Sequence, residues 1–208
     1  MGHGDHVERA AHEPRTPEAS TPLPPAQRPA RGWPVVHYGP VPRHRPDTWD
    51  LRVFGATASG DERCLDLDEL AALPRSTVQA DLHCVTKWTV RDLEWGGVLT
   101  RTLLDLEPPA DDVRHVMVWA EYGYSANLPL AAFADPGTVL ATHVGGEPLT
   151  AEHGWPLRLV CPSSYAWKSA KWVRSIEYLV EDRRGFWEER GYHNRADPWR
   201  DERYSYQE

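Results

Sequence analysis

The sequence predicts an α+β protein in which short helices pack against mixed β-sheets. Several apolar stretches alternate as strands do, and brief helical segments rather than long helices separate them. The chain also shows no internal repeat. Short strands interspersed with short helices are typical of an α+β fold built on mixed sheets.

The first predicted elements lead up to a cysteine. Residues 33–42, which read WPVVHYGPVP, carry prolines that favour extended backbone with tight bends. Residues 50–55 alternate as a strand. Leucines spaced among acidic residues over 65–73 predict a short amphipathic helix that ends before a proline. A strand over 77–82 then places Cys84 at its end or in the turn beyond it.

The later elements are equally short. Gly96 and Gly97 predict a turn, and a helix follows over 98–106. The remaining elements are a buried strand over 113–119, a polar turn over 122–127, a helical turn over 128–133, and strands over 138–142, 156–161 and 171–180. Gly145 and Gly146 mark a hairpin turn after the strand over 138–142.

Two regions differ in composition. Residues 1–32 are rich in Pro, Ala, Arg and Glu and contain almost no bulky apolar residues. Such a segment buries too little surface to offset its ordering entropy, so we predict a disordered leader over 1–32. Residues 33–208 form the predicted domain.

The overall composition narrows the classes of function. The formal net charge of −8 argues against a nucleic-acid-binding role, because such proteins usually carry a basic surface. No apolar run has the length of a membrane span, and no export signal is recognisable. The three cysteines are widely spaced without a CxxC pair, which fits free thiols in a reducing compartment and predicts a cytoplasmic protein.

Cys84 allows two interpretations. A lone cysteine at a strand end, beside His83, Lys87 and Trp88, is well placed to be a thiolate. A free cysteine can equally be a small buried hydrophobe. His83 is a poor base for Cys84, because neighbouring residues on a strand point to opposite faces.

A second group of residues combines positive charge with aromatic rings. His153 to Arg158 reads HGWPLR, and Ser163 to Trp172 reads SSYAWKSAKW. In an acidic protein this cluster predicts an anionic, planar ligand, because arginine and lysine bind phosphate and aromatic rings stack. The alternative is a solvated strand–turn–strand face. The chain contains no P-loop and no GxGxxG motif.

Taken in order, several motifs resemble the molybdopterin-binding domain of the sulfite oxidase family, especially its small bacterial sulfite-oxidase-like members. These motifs are HYGPVP, DLHCVTKW followed by WGGV, EYGYSANLPL, HGWPLRLVCP, KSAKW and GFWEERGYH. The ordered set is specific, although a single motif would be weak. The resemblance implies a sulfite-oxidase-type fold and an oxidoreductase that uses molybdopterin and molybdenum.

The resemblance also implies roles for the early motifs. Cys84 matches the cysteine whose thiolate binds molybdenum, and a soft thiolate suits such a metal. His37 and Tyr38 match the segment that touches the pterin. Glu121 lies at or next to the position of an aspartate in many relatives, which implies a cofactor contact there.

Roles for the later motifs follow from the same resemblance. His153 and Arg158 match residues that hold the pterin and its phosphate. Ser169, Ala170 and Lys171 match a backbone-and-lysine cradle for the same cofactor.

The chain departs from the animal and plant sulfite oxidases at two places. Lys87, Trp88 and Thr89 occupy the region where those enzymes carry sulfite-binding arginines. Arg183 and Arg184 lie where those enzymes place an active-site tyrosine. These departures disfavour sulfite as the substrate.

The leading hypothesis is therefore oxygen-atom transfer to or from a small substrate, such as a sulfoxide or another oxo compound, with electrons exchanged with an unidentified partner protein. One rival is a non-catalytic protein that stores or carries molybdopterin. Another is a thiol enzyme that needs no cofactor.

Overall fold

The structure is a computed structural model that describes residues 22–208. This part of the chain forms two β-sheets and three short helices, which confirms the predicted α+β class. The strands are β1 Arg28–Pro29, β2 Asp50–Gly55, β3 Arg63–Asp66, β4 Arg75–Cys84, β5 Trp88–Leu99, β6 His115–Ala120, β7 Ser125–Pro129, β8 Val139–Val144, β9 Glu147–Pro148, β10 Arg158–Val160 and β11 Val173–Leu179. The helices are α1 Leu67–Ala72, α2 Thr100–Leu106 and α3 Leu130–Phe133. None of these described helices is long and apolar enough to cross a membrane.

Both sheets are mixed. The five-stranded sheet has the order β3-β2-β11-β6-β7, in which only β2 and β11 run parallel. In the six-stranded sheet β5 pairs with β1, β4 and β8, and β8 also pairs with β9 and β10. The short two-residue strand β1 is the parallel partner in this sheet.

The main apolar core is shared by the two sheets. It includes Val53 and Ile176 from the five-stranded sheet, and Leu140 and Leu159 from the six-stranded sheet. A second, smaller core contains Trp95 and other residues of the six-stranded sheet. Because strand residues alternate between faces, β10 sends Leu159 into the main core and Val160 into the smaller one.

The glycine pair Gly96–Gly97 lies inside β5 and does not form the predicted turn. A Cβ atom on Gly97 would lie 2.1 Å from the Leu140 backbone oxygen, so the glycine allows β5 and β8 to approach closely. The pairing register between β5 and β8 also shifts between these two glycines. The segment over 122–127, predicted as a turn, is partly a strand, because β7 begins at Ser125. The first four residues of β7 are all buried, so the strand lacks the alternation of apolar and polar residues by which a strand is predicted.

Strand β1 lies before the predicted domain boundary at residue 32. The Arg28 and Ala30 backbone amides donate to Lys87 O and Thr89 O at 3.1 and 2.8 Å, which places β1 on the edge of β5. The Gln27 side chain is buried and donates to the Cys84 carbonyl oxygen at 3.0 Å. Several of these contacts are hydrogen bonds, and Pro24 is the buried apolar residue of the segment, so composition alone does not reveal it. Residues 1–21 of the predicted leader lie outside the described residues.

Removing residues 22–31 should lower the melting temperature of the protein. Each backbone or amide hydrogen bond contributes roughly 1 kcal/mol, so a chain beginning at Gly32 should melt at least about 5 °C below one beginning at Pro22. Differential scanning calorimetry of the two chains, with Gln27→Ala in the full chain as a milder comparison, tests this. Equal melting temperatures would show that the segment does not support the fold.

Candidate active site

A cavity of about 290 Å³ brings together most of the predicted site residues. It lies between the extended segment 33–38, the end of β4 and the loop 166–172. Its lining residues are mostly aromatic or apolar, and six of the predicted residues are among them: His37, Tyr38, Cys84, Ser169, Ala170 and Lys171. The sequence-predicted clusters around Cys84 and around Lys171 therefore form one site.

Cys84 is the last residue of β4 and opens into this cavity. It is only 7% exposed, and its Sγ lies 3.1 Å from Thr86 Oγ1. His83 turns to the opposite face, where its Nδ1 lies 2.9 Å from Thr89 Oγ1. His83 is therefore not placed to activate the thiol, which weakens the interpretation of Cys84 as the nucleophile of a thiol enzyme.

The turn after Cys84 is fixed by residues from both ends of the described chain. Lys87 has a φ of +73° and donates its backbone amide to Cys84 O at 3.0 Å, which closes the turn. Gln27 donates to the same carbonyl oxygen. Arg203 is buried and donates to Val85 O and to Pro25 O, and its guanidinium lies over the Tyr165 ring. We call residues 84–88 the Cys84 turn.

His37 and Tyr38 form the outer edge of the cavity. His37 Nδ1 lies 2.9 Å from Gly39 O, and its ring meets the Trp172 ring edge-on at 5.4 Å. Tyr38 packs on the Phe186 ring at 4.4 Å and remains half exposed. Both side chains face the cavity opening, as expected of residues that contact a ligand there.

Arg158 lies behind the cavity wall and is almost fully buried. Its guanidinium carbon lies 5.6 Å from the Trp33 ring centroid and 5.1 Å from that of Trp95. The guanidinium donates to His153 O at 3.0 Å and to Ser169 O at 3.3 Å, while its buried Nε has no partner among the described residues. Burial lowers the pKa of Arg158 to about 10, so the group still carries its charge at neutral pH.

Lys171 and His153 lie beside Arg158 in this wall. Lys171 Nζ donates to Glu152 O at 2.6 Å, and burial together with the Arg158 charge lowers the pKa of Lys171 to about 7. His153 stacks on Trp33 at 3.8 Å, and its buried Nε2 lacks a partner among the described residues. Burial and the Lys171 and Arg158 charges lower the pKa of His153. We call His153, Arg158 and Lys171 the cationic wall.

Gly154 allows the residues of the cationic wall to pack closely together. Its φ is +114°, and a Cβ atom there would lie 2.9 Å from Arg158 Cβ and 3.3 Å from Lys171 Cβ. Ser169 is buried beside this wall, and its Oγ accepts the Cys161 amide at 3.0 Å. The Ser169 amide donates to Ala166 O, so this part of the predicted backbone cradle already has a protein partner.

Glu121 is not brought to the cavity. Its carboxylate lies 3.1 Å from Arg174 Nη1, and Arg174 also pairs with Asp50. His44 Nδ1 lies 3.8 Å from the same carboxylate oxygen. Glu121 thus has ion-pair partners within the protein and is not among the residues that line the cavity.

Lys168, the other lysine of the basic and aromatic cluster, has a structural role. It is fully buried and pairs with Glu188 at 2.7 Å, and it also donates to Asn127 O and Oδ1 at 2.8 Å. Trp167 Nε1 donates to the same Glu188 oxygen at 2.8 Å. The pair ties the aromatic loop to the C-terminal part of the chain.

The sequence-based prediction missed several lining residues. They are Trp33, Pro34, Val36, Leu82, Val85, Thr86, Trp187 and Tyr192. The ten tryptophans of the sequence indicate that aromatic rings line a pocket, but the sequence does not show which of these rings do so. Tyr192 comes from a C-terminal segment without regular strands, so no periodicity points to it.

The residues present fit an anionic pterin that carries a metal. The buried Arg158 Nε and His153 Nε2 are polar atoms without partners among the described residues, and a bound anion would give them one. Among residues 22–208 no group of three or more His, Cys, Asp or Glu side chains could hold a metal ion. A metal at Cys84 therefore needs its other ligands from a cofactor, and a dithiolene pterin provides soft ones.

Comparison with known proteins agrees with this fit. Residues 38–187 match the family described as oxidoreductase molybdopterin binding domain. The chain is 39% identical to the uncharacterized oxidoreductase YuiH of Bacillus subtilis, over 92% of this chain and 96% of that protein. It is 30% identical to the mitochondrial sulfite oxidase of Homo sapiens over 74% of this chain, but covers only 33% of that enzyme.

Two further proteins extend the comparison. A relative in Azospira oryzae, named as a protein-methionine-sulfoxide reductase subunit, YedZ1, is 27% identical over 85% of this chain and 67% of its own length. The sulfane dehydrogenase SoxCD from Paracoccus pantotrophus shares the fold, with a TM-score of 0.64 at 21% identity over 70% of this chain and 41% of that one. The chain therefore belongs to the sulfite oxidase family of molybdopterin-binding oxidoreductases, whose cofactor is molybdopterin with molybdenum.

Proposed function

We propose that the protein transfers an oxygen atom to or from a small substrate at molybdenum bound by Cys84. The observation that carries this proposal is the position of the Cys84 thiol, which opens into an aromatic cavity whose far side adjoins the cationic wall. When bound, the cofactor supplies the exchange of an oxygen atom and two electrons. The protein's part is to bind the cofactor, orient it and shape the substrate pocket.

Each remaining site residue then has a proposed task. The cationic wall binds the cofactor's phosphate, with Arg158 and Lys171 as charged donors. His37 and Tyr38 contact the pterin from the opening, and Ser169 and Ala170 form the adjacent surface. Glu121 receives no task, because it pairs with Arg174.

We propose a sulfoxide or another small oxo compound, rather than sulfite, as the substrate. The cavity that Cys84 lines also contains Thr86, Trp88, Trp187 and Tyr192, which carry no formal charge. Lys171 is the lining residue with an ammonium group, and it belongs to the cationic wall. An anionic substrate in this pocket would lack a charged partner, whereas a neutral sulfoxide suits aromatic walls. The name of the Azospira relative supports this substrate class.

The test is steady-state turnover of cofactor-loaded protein with artificial electron carriers. We expect the protein to reduce methyl phenyl sulfoxide. The kcat/KM for sulfite oxidation should be lower than that for sulfoxide reduction by roughly tenfold to a hundredfold, which is the effect of one missing charge-assisted contact. Efficient sulfite oxidation would contradict the proposed substrate class. Bound molybdenum without turnover of any oxo substrate would instead favour the rival carrier function.

The cationic wall should make cofactor binding depend on pH. In the cofactor-free protein Lys171 loses its charge as the pH rises through about 7. A bound anion raises that pKa again, so binding above pH 7 must take up a proton and weakens as the pH rises. We expect the affinity for the metal-free pterin, whose binding does not deprotonate Cys84, to fall by up to about tenfold per pH unit above about pH 7.

This dependence should arise mainly from Lys171. Lys171→Met is expected to bind the pterin more weakly and to lose most of the pH dependence above about pH 7. His153 is uncharged in that range in the cofactor-free protein, because burial and the neighbouring charges lower its pKa. Fluorescence of pterin released during dialysis at several pH values measures the affinity. A wild-type affinity that stays constant with pH would contradict the assignment of Lys171.

We also propose that the protein acts in the cytoplasm and exchanges electrons with a separate carrier protein. All three cysteines are free, and Cys64 is exposed, which suits a reducing compartment. Because oxygen-atom transfer changes the cofactor by two electrons, a redox partner must restore it. Cell fractionation with antibody detection tests the compartment.

A further inference from the structure

The segment 22–30 brings one buried amide side chain to the backbone of Cys84. Gln27 Nε2 donates to Cys84 O at 3.0 Å, although the two residues are 57 positions apart in the sequence. The backbone amide of Lys87 donates to the same carbonyl oxygen, also at 3.0 Å. A carbonyl oxygen has two lone pairs, so these two donors use its full capacity. The peptide group that follows Cys84 is therefore held by one local contact and one distant contact.

A second hydrogen bond fixes the orientation of the Gln27 amide. Thr89 is fully buried and donates its Oγ1 to Gln27 Oε1 at 3.2 Å. A hydroxyl group has only one proton, so Thr89 Oγ1 must accept the hydrogen bond from His83 Nδ1, which lies 2.9 Å away. The donors therefore follow one direction, from His83 through Thr89 and Gln27 to the Cys84 carbonyl oxygen.

The segment that carries Gln27 is held on both sides of this residue. Before it, Arg203 donates to Pro25 O at 3.3 Å, and the Gln27 backbone amide closes a turn by donating to Pro24 O at 3.2 Å. After it, β1 pairs with β5. A buried side chain whose backbone and amide are both fixed is preorganised for its contact.

We propose that Gln27 is a positioning residue for the molybdenum ligand, because its amide fixes the backbone of Cys84 and thereby the direction in which the thiolate meets the metal. This inference rests on the proposed function, since it requires Cys84 to be the ligand. Groups that orient a metal ligand commonly change the affinity or activity of the site by about tenfold to a hundredfold. Gln27 lies before residue 38, where the family match begins, so the match does not assign it.

The test replaces Gln27 by methionine, which has nearly the same length but makes neither hydrogen bond. In cofactor-loaded protein we expect the kcat per bound molybdenum to fall by about tenfold. The KM for methyl phenyl sulfoxide should change little, because Gln27 does not line the cavity. Electron paramagnetic resonance of the partly reduced protein should show an altered molybdenum signal, since this signal depends on the orientation of the sulfur ligand.

A second variant probes the same chain of hydrogen bonds from its other side. Thr89→Val removes the hydroxyl that orients the Gln27 amide and leaves Gln27 itself in place. It should alter the molybdenum signal in the same way as Gln27→Met, but by less. The matched control is Gln79→Met, because Gln79 is an exposed residue of the same strand as Cys84 and its amide donates to Glu94. This control should behave as the wild type.

The possible outcomes separate this inference from the proposed function. A lower melting temperature in Gln27→Met, with the molybdenum signal and kcat unchanged, would overturn the inference and leave Gln27 a purely structural residue. If Gln27→Met does not fold, an unchanged signal in Thr89→Val overturns it equally. Failure of the proposed function would be visible in the wild type itself, as the absence of a bond between molybdenum and the Cys84 sulfur.

Discussion

Replacing Cys84 by serine is expected to remove the protein's bond to molybdenum and with it the oxidoreductase activity. Serine offers a hard oxygen in place of a soft thiolate, and among the described residues no cluster of metal-binding side chains could replace it. Loss of outer-shell partners alone often lowers the activity of a metal site by about tenfold to a hundredfold, so loss of the ligand itself should exceed about a hundredfold.

Metal analysis and X-ray absorption spectroscopy check this expectation. The variant should keep pterin, because the cationic wall is intact, while the absorption data lose one metal–sulfur path. Cys64→Ser is the matched control, since Cys64 is an exposed thiol on β3, outside the cavity. Retention of both the full metal–sulfur signal and the activity in Cys84→Ser would disprove the ligand assignment.

The second large effect concerns stability. Lys168→Met leaves the Glu188 carboxylate buried without its counter-charge, and both side chains are 0% exposed. Breaking a buried pair of this kind costs roughly 3–5 kcal/mol. The damage should also reach the site, because Glu188 accepts the hydrogen bond of the lining residue Trp167.

Urea unfolding followed by circular dichroism measures the change in the free energy of unfolding. Lys168→Met combined with Glu188→Leu removes both charges and should recover much of the lost stability. Asp47→Asn breaks the exposed pair with Arg45 and should change the free energy of unfolding by less than about 1 kcal/mol. A loss in Lys168→Met as small as this control would show that the buried pair does not stabilise the fold.

The sequence correctly predicted those elements in which apolar and polar residues alternate clearly. The strand over 50–55 has the predicted bounds, and Cys84 ends its strand as expected. The helix predicted over 65–73 is shorter, since Asp66 caps α1 by accepting the Glu69 amide and the residues before it form β3. A capping box of this kind is visible in the sequence, but it competes with the leucine spacing that favours a longer helix.

Long-range contacts account for what could not be predicted. The role of Gly97 depends on Leu140, which is distant in sequence, and a glycine pair by itself reads as a turn. The resemblance identified the residues of the cationic wall, but the sequence did not show that Arg158 is buried between two tryptophans. Glu121 and Lys168 look equally suited to a ligand in the sequence. Their partners Arg174 and Glu188 decide otherwise, and these pairings appear only in the folded chain.

The Cys84 turn is held by Arg203 and lies at the cavity that Tyr192 lines, and both residues lie far beyond Cys84 in the sequence. When Cys84 emerges from the ribosome, two residues of the site have not yet been synthesised. They are Arg203, which donates to Val85 O, and Tyr192, which lines the cavity. Strands β4 and β5 can pair during translation, because they are neighbours in sequence. The site is therefore completed only when Tyr192 and Arg203 have been synthesised and have folded back onto the Cys84 turn, so cofactor insertion must follow the folding of this segment.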